Sequence, residues 1–217
     1  RQILAGLGQV LRTREIWRLM ALAFVGFASV LTVRGLWGGP YLLQAQGLGP
    51  VAAGNGLFAM SVGIIMGAVG YGLLEQPLDR RRGLALAGGS ILCLSFLGLA
   101  LWPQPPLWYA LASFFAIGLC GQTYVMVLSQ GRAGFADRLI GRVVTTLNMA
   151  VFLGIGIFQA TSGAIIRWFQ HPDGSIPEHG FRVMFGFLAT MVFVALLIYR
   201  TSREAKPSED ATRQRIG

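Results

Sequence analysis

The most constraining feature of the chain is a series of six long apolar stretches. Each holds about 20 residues with almost no charge, the length that an α-helix needs to cross roughly 30 Å of hydrocarbon. The stretches are residues 17–37, 51–74, 83–102, 107–128, 143–166 and 183–199. Of the 217 residues, 54% are hydrophobic and only 12% are charged, which leaves too little polar surface for a soluble domain. The sequence therefore predicts an all-α polytopic membrane protein with six transmembrane helices.

Helix-breaking residues separate these stretches. Residues 38–40, Gly-Gly-Pro, follow the first stretch and predict its end. Pro77 and the charged run 79–82 predict the end of the second, because proline cannot donate the backbone hydrogen bond that a continuing helix needs. The proline-rich residues 103–106 separate the third stretch from the fourth. A membrane protein built of helices and connecting loops requires helix-breaking residues at these positions.

The basic residues predict the orientation. Fifteen of the eighteen Lys and Arg residues lie on the same side of the membrane as the N-terminus, and the three others are Arg34, Arg167 and Arg182. Because cytoplasmic segments carry an excess of Lys and Arg, both termini are predicted to be cytoplasmic. The net charge of +9 comes in short clusters between apolar stretches and not on one face of a domain, so it does not predict nucleic-acid binding.

The sequence divides into three parts. Residues 1–15 mix Arg with apolar residues at helical spacing, which predicts a cytoplasmic linker that forms an amphipathic helix at the membrane surface. Residues 16–203 form the six-helix bundle. Residues 204–217 are polar and charged, with Pro207, and predict a disordered cytoplasmic tail. The chain begins at Arg1 without a Met, which favours a fragment whose N-terminal part is missing.

Polar side chains inside the spans mark helices that face a cavity, because such groups are costly in lipid. The first, second, fourth and fifth stretches carry them, and the third and sixth are nearly apolar. The candidate substrate-binding residues are Arg34, Asn55, Gln122, Tyr124, Asn148 and Gln159. For the five uncharged residues of this set, the alternative is an interhelical hydrogen bond that only holds the bundle together. The sequence leaves both interpretations open.

Arg34 is the one charge well inside a predicted span. It lies about 25 Å along the first helix, near the outer end of the hydrocarbon. One interpretation is that its side chain reaches the outer interface and only anchors the helix there. The other is that its guanidinium binds an anionic group in the central cavity. The predicted spans contain no Asp, Glu or His, so this chain shows no evident proton relay.

Small residues also recur at four-residue spacing within two spans. They are Ala59, Gly63 and Gly67 in the second, and Gly156, Ala160 and Ala164 in the fifth. Rows of this kind let two helix backbones approach closely, so both rows are predicted to pack against neighbouring helices.

The second class of function considered for such a chain is an intramembrane enzyme. It would need a nucleophile with a base, or a metal cluster, at membrane depth, and the spans offer neither. His171 and His179 lie in one outer loop, where a weak metal site is disfavoured. The sequence therefore predicts no catalytic residue, no metal and no cofactor. A six-helix protein that pairs with a second copy to form a transporter or receptor remains the alternative.

The overall pattern resembles the C-terminal half of a major facilitator superfamily (MFS) transporter. Residues 36–42, Leu-Trp-Gly-Gly-Pro-Tyr-Leu, resemble the end of helix 7 in bacterial members. Gly72 with Asp79, Arg80 and Arg82 resembles the loop motif Gly-x-x-x-Asp-Arg-x-x-Arg-Arg between helices 8 and 9, although its spacing is too long and Pro77 intervenes. Residues 141–163 resemble helix 11, through Gly141, Arg142, Asn148, Phe152, Gly154, Gln159 and Gly163.

This resemblance implies helices 7 to 12, built as two inverted three-helix repeats. It implies a secondary active transporter of the bacterial inner membrane that rocks against a missing N-terminal six-helix half, around a site near the midplane. The loop-motif residues Gly72, Asp79, Arg80 and Arg82 would then act in gating. The Trp-Gly-Gly-Pro-Tyr stretch beside an Arg is similar to anion and sugar-phosphate permeases, which implies a small organic anion as substrate. The coupling ion, proton or sodium, stays open.

Overall fold

The computed structural model describes residues 8–208 and contains six helices that are long and apolar enough to cross a membrane. They are α1 (Arg14–Ala45), α2 (Pro50–Leu78), α3 (Arg81–Leu101), α4 (Leu107–Ala133), α5 (Asp137–Phe169) and α6 (Glu178–Tyr199). The six-span prediction is confirmed. Parts of the predicted linker and tail, residues 1–7 and 209–217, lie outside the described residues.

The first helix does not end where the sequence predicted. Residues 38–40 lie inside α1, between two π-helical segments, Val33–Trp37 and Tyr41–Ala45. In a π turn each N–H pairs with the carbonyl five residues back, as Gln46 does with Tyr41 at 3.1 Å. Pro40 removes one donor, and the wider turns keep the neighbouring groups paired, so the helix continues to Ala45. The predicted end of α1 at residues 38–40 is therefore wrong.

The second helix ends where Pro77 and the charged run predict: Pro77 lies in the last turn of α2, which ends one residue later at Leu78. The fourth helix differs from the prediction. α4 is interrupted in its middle: it consists of Leu107–Cys120 and Thr123–Ala133, separated by Gly121 and Gln122. No proline marks this break, and the sequence predicted one continuous helix.

Three helix pairs form the bundle. α2 packs most extensively on α4, α1 on α5, and α3 on α6. The first three helices, α1 to α3, correspond in order to the last three, α4 to α6. Under this correspondence the α2–α4 pair becomes the α1–α5 pair, and the α3–α6 pair becomes itself. This is the pairing that two related three-helix units produce.

Glycine allows the α2–α4 and α1–α5 pairs to approach closely. A Cβ at Gly67 would lie 2.1 Å from the Leu119 carbonyl oxygen of α4, and one at Gly154 would lie 2.1 Å from the Phe24 carbonyl oxygen of α1. Gly63 and Gly67 are buried against α4, which confirms the predicted packing of that row on α2. The predicted row on α5 is exposed and does not pack within the described chain. The packing face of α5 carries Gly154, Phe158 and Ser162 instead.

α2 and α5 present most of their surface outside the bundle. Only 22% of the most apolar window of α2 and 33% of that of α5 is buried, against 61% for α1. Their exposed side chains are mainly large and apolar; they include Phe58, Ile65, Val69, Met149, Phe152 and Ile157. α2 and α5 are the middle helices of the two three-helix repeats, so each repeat has one helix that the bundle leaves largely exposed.

Candidate functional site

Arg34 is held against the second helix. It lies in the first π-helical segment of α1, and its side chain is exposed. Its Nε donates a hydrogen bond of 2.9 Å to the Ser61 hydroxyl of α2, and that hydroxyl donates to the Leu57 carbonyl at 2.8 Å. A guanidinium carries five N–H donors, so four remain for another partner. Arg34 is therefore oriented by Ser61 while it keeps the planar fork that binds carboxylate or phosphate.

Tyr124 and Asn148 make the corresponding contact in the second repeat. The Tyr124 hydroxyl of α4 donates to the Asn148 side-chain oxygen of α5, and both side chains are half-buried. Ser61 is the twelfth residue of α2, which begins at Pro50, and Asn148 is the twelfth of α5, which begins at Asp137. Each lies about 17 Å along its helix at 1.5 Å per residue. The two polar pairs thus occupy equivalent positions, close to the middle of the bundle.

A third polar contact joins α1 to α5. The Trp37 indole N–H donates to the Ser162 hydroxyl at 2.8 Å, and that hydroxyl donates to the Gln159 carbonyl at 3.2 Å. The Gln159 side-chain amide is half-buried and makes no hydrogen bond to another described residue. Gln159 is therefore placed beside a polar contact with its own amide still available.

Gln122 lies in the break of α4. It is only 7% exposed, and its amide nitrogen has no hydrogen-bond partner among the described residues. Leaving a buried amide unpaired costs about 1 to 3 kcal/mol, which a bound ligand or water would recover. The burial of the Gln122 amide cannot be predicted from sequence periodicity, because no proline marks the break in α4 where Gln122 lies.

Asn55 is the most isolated member of the candidate set. It is exposed in the second turn of α2, about 9 Å nearer the start of that helix than Ser61. Its side chain makes no hydrogen bond to another described residue. The structure joins Arg34 to α2 and Tyr124 to Asn148. Among the described residues it gives no hydrogen-bond partner to the side chains of Asn55 and Gln159 or to the amide nitrogen of Gln122.

The loop between α2 and α3 lies at the basic end of the bundle, defined as the end where α1 begins and where α2 and α6 end. Of the four motif residues predicted there, Asp79 and Arg82 make hydrogen bonds to the segment that follows α6. Asp79 accepts two hydrogen bonds from Ser208, from its backbone N–H at 2.9 Å and its hydroxyl at 2.7 Å, and these hold the pKa of Asp79 below its ordinary value. Arg82 donates to Ser202 and Glu204 at 2.8 Å. The side chain of Arg80 is exposed, and Gly72 has open space around it.

A buried ion pair that the sequence pattern did not predict lies beside this motif. The Arg81 Nε donates to Glu75 at 2.6 Å, and Arg81 is 8% exposed. The Ser129 hydroxyl of α4 donates to the other Glu75 oxygen at 3.2 Å. The sequence feature that could have predicted this pair is the placement of opposite charges six residues apart, on either side of a helix break. The pair ties the ends of α2, α3 and α4 together.

Residues 202–208 also contact this end. Besides Ser208 on Asp79 and Glu204 on Arg82, the Arg203 backbone N–H donates to Glu15 at 2.8 Å. The Gln130 amide donates to Ser202 at 3.2 Å. The first residues of the predicted tail, 204–208, are therefore placed against the bundle, and the rest of the tail prediction falls outside the described residues.

Comparisons with known proteins identify the fold. No family model and no curated protein matches the chain. The xylose transporter XylE from E. coli, in its inward-open conformation, matches with a TM-score of 0.68 at 16% identity, over 90% of this chain and 48% of that one. The MFS proton:xylose symporter XylE bound to 6-bromo-6-deoxy-D-glucose matches with a TM-score of 0.62 at 17% identity, over 93% and 46%. The chain spans about half the length of these structures and has the fold of one six-helix half of an MFS transporter.

Proposed function

We propose that this chain is the C-terminal half of a secondary active transporter that moves a small solute by alternating access. The observation that carries the proposal is the match of 90% of the chain to about half of an MFS transporter. A fold alone does not determine function, so the residues must support the proposal independently. Two features of the bundle do so.

The first feature is the uncovered surface of α2 and α5. One exposed, largely apolar helix in each repeat suits a bundle that packs against a second six-helix half. In transporters built from repeats, the substrate site lies near the midplane between such halves. The pairs Arg34–Ser61 and Tyr124–Asn148, each near the middle of α2 or α5, supply polar groups at that depth.

The second feature is the chemistry of the polar residues. Arg34 offers a fork for an anionic group, and the amides of Asn55, Gln122 and Gln159 offer both donors and acceptors for hydroxyl or carboxylate oxygens. We therefore propose a small organic anion as the substrate. Within the described spans, Asp, Glu and His occur only in the first or last turns, at Glu15, Glu75, Asp137, Glu178 and His179, so we place any proton-carrying group at the depth of the midplane in the other half.

The basic end is proposed to be cytoplasmic, with both termini inside a bacterial inner membrane. Most Lys and Arg residues lie there, as the positive-inside rule requires. In this orientation Asp79 and Arg82 bind residues 202–208 at the cytoplasmic face, and the Glu75–Arg81 pair locks the neighbouring helix ends. We propose that release and formation of these contacts accompany gating.

Cysteine labelling tests the orientation. His171 and Arg80 are exposed at opposite ends of the bundle, whereas Arg81 is too buried to report. His171→Cys is expected to react with an impermeant maleimide in intact cells, and Arg80→Cys only after the cells are opened. The unsubstituted protein, whose Cys93 and Cys120 lie inside spans, gives the background signal. Labelling of Arg80→Cys in intact cells would reverse the proposed orientation.

Uptake measurements test the transporter proposal itself. The full-length protein is first screened by thermal shift against organic anions, sugar phosphates and sugars, because a ligand that binds the native state raises the melting temperature. The ligand that stabilises it is then expected to accumulate in proteoliposomes that contain the full-length protein. The present 217-residue chain expressed alone is expected to insert without uptake. Uptake by this chain alone would instead favour a six-helix protein that pairs with a second copy.

A further inference from the structure

A cavity of about 760 Å³ lies at the basic end, away from the polar pairs in the middle of the bundle. It is bounded by the start of α1, the connection from α4 to α5, and the segment that follows α6. Its charged lining consists of Arg14, Arg18, Arg203, Lys206, Glu15 and Glu204. The cavity therefore has four cationic side chains against two carboxylates.

Both carboxylates are already bound by the protein. Glu15 accepts a hydrogen bond of 3.1 Å from Arg18 and one of 2.8 Å from the Arg203 backbone N–H. Glu204 accepts a hydrogen bond of 2.8 Å from the Arg82 backbone N–H. These contacts also fix the segment after α6 as one wall of the cavity.

The remaining cations are available to a ligand. The guanidinium groups of Arg14 and Arg203 are exposed and make no hydrogen bond or ion pair to another described residue. Lys206 lies close enough to Asp79 to lower the pKa of that carboxyl, but it makes no hydrogen bond there. Two planar forks that line the same cavity suit a phosphate group, which Arg binds in a bidentate manner.

Two helix starts add to the positive potential. Thr13 and Arg14 line the cavity where α1 begins, and Ala136 lines it just before α5. Neither helix has a side-chain cap on its first N–H groups, so these dipole ends also favour an anion. Asp137, in the first turn of α5, is not part of the lining.

Trp17 places the cavity at the depth of lipid headgroups. It is 56% exposed, and its indole N–H donates to the Leu11 carbonyl at 2.8 Å. Tryptophan is enriched at the membrane–water interface, and Trp17 lies one turn of α1 from Arg14. Basic pockets at this depth bind the headgroups of anionic lipids.

The geometry points to a phosphate-binding site in this cavity, formed by Arg14 and Arg203 with Lys206, whose ligand is the phosphodiester headgroup of an anionic phospholipid or free phosphate. The site is separate from the proposed substrate site in the middle of the bundle, so it stands whether or not that proposal is correct.

Native mass spectrometry of the full-length protein in detergent tests this site. Phosphatidylglycerol is expected to form a specific adduct where phosphatidylcholine does not, and inorganic phosphate is expected to displace it. The double variant Arg14→Gln/Arg203→Gln should raise the dissociation constant about 10-fold or more, since each cation at the surface contributes. The matched control Arg80→Gln/Arg200→Gln removes two exposed arginines of the same end that do not line the cavity, and it should leave binding unchanged.

The possible results separate the alternatives. An adduct with phosphatidylglycerol identifies the lipid as the ligand, and a melting-temperature rise with inorganic phosphate alone identifies free phosphate; either result supports the site. Equal losses in the two double variants would mean non-specific surface charge and would overturn it. If the cavity variant does not fold, the site is tested on the unsubstituted protein alone. The site is rejected if that protein binds phosphatidylglycerol no better than phosphatidylcholine and its melting temperature does not change with inorganic phosphate.

Discussion

Replacing Gly67 by alanine is expected to destabilise the bundle by about 3 kcal/mol, at the upper end of the usual cost of overpacking. The new Cβ would lie 2.1 Å from the Leu119 carbonyl oxygen and 2.9 Å from its carbonyl carbon. Both atoms belong to the backbone of α4, so no side chain can move aside to relieve the contact. The two helices would have to separate along their main contact. Thermal unfolding of the detergent-solubilised protein, followed by the loss of monodisperse protein after heating, measures the effect.

Gly70→Ala is the matched control on the same helix. A Cβ at Gly70 meets no atom within 4 Å, so the substitution adds only the better helix propensity of alanine, about 1 kcal/mol relative to glycine. It should leave the melting temperature unchanged or raise it slightly. If Gly67→Ala and Gly70→Ala melted at the same temperature, the close approach of α2 and α4 would be wrong.

Substituting Arg34 by lysine is expected to weaken substrate binding by about 1.5 to 3 kcal/mol, the usual contribution of hydrogen bonds to charged groups. Lysine keeps the charge, but its ammonium cannot reproduce the planar fork that binds an anionic group with two parallel hydrogen bonds. Ser61→Ala should cost less, because it removes only the group that orients Arg34. Both effects are measured as the change in dissociation constant of the anion found in the thermal-shift screen, with expression and topology matched.

Arg167→Lys is the control for this substitution. Arg167 is exposed in the last turn of α5 and is not part of the candidate set. Its replacement should not change the affinity. If Arg34→Lys bound and transported like the parent protein, Arg34 would only anchor α1 at the outer interface. Gln122, Asn148 and Gln159 would then be the better candidates for substrate contact, and a neutral solute the better candidate for the substrate.

The candidate site was only partly predictable. Sequence composition marks Arg34 and Asn148 as costly polar residues within spans, which is a local property. It cannot identify Ser61 as the partner of Arg34, since the two lie 27 residues apart and on different helices. Nor can it show that Gln122 is buried and unpaired, because that depends on a break in α4 and on the approach of α2.

The number and approximate bounds of the six helices follow from the sequence alone, because the thickness of the hydrocarbon sets how many consecutive apolar residues a span needs. Helix rotation follows from it only in part. The row of small residues at Gly63 and Gly67 predicts the face of α2 that packs on α4, although the rest of α2 is apolar on all sides. The similar row at Gly156 predicts a packing face of α5 that is exposed, because the tertiary structure places Gly154 against α1 instead. In a membrane both the lipid and the protein interior are apolar, so only the three-dimensional packing of the helices decides which face is buried.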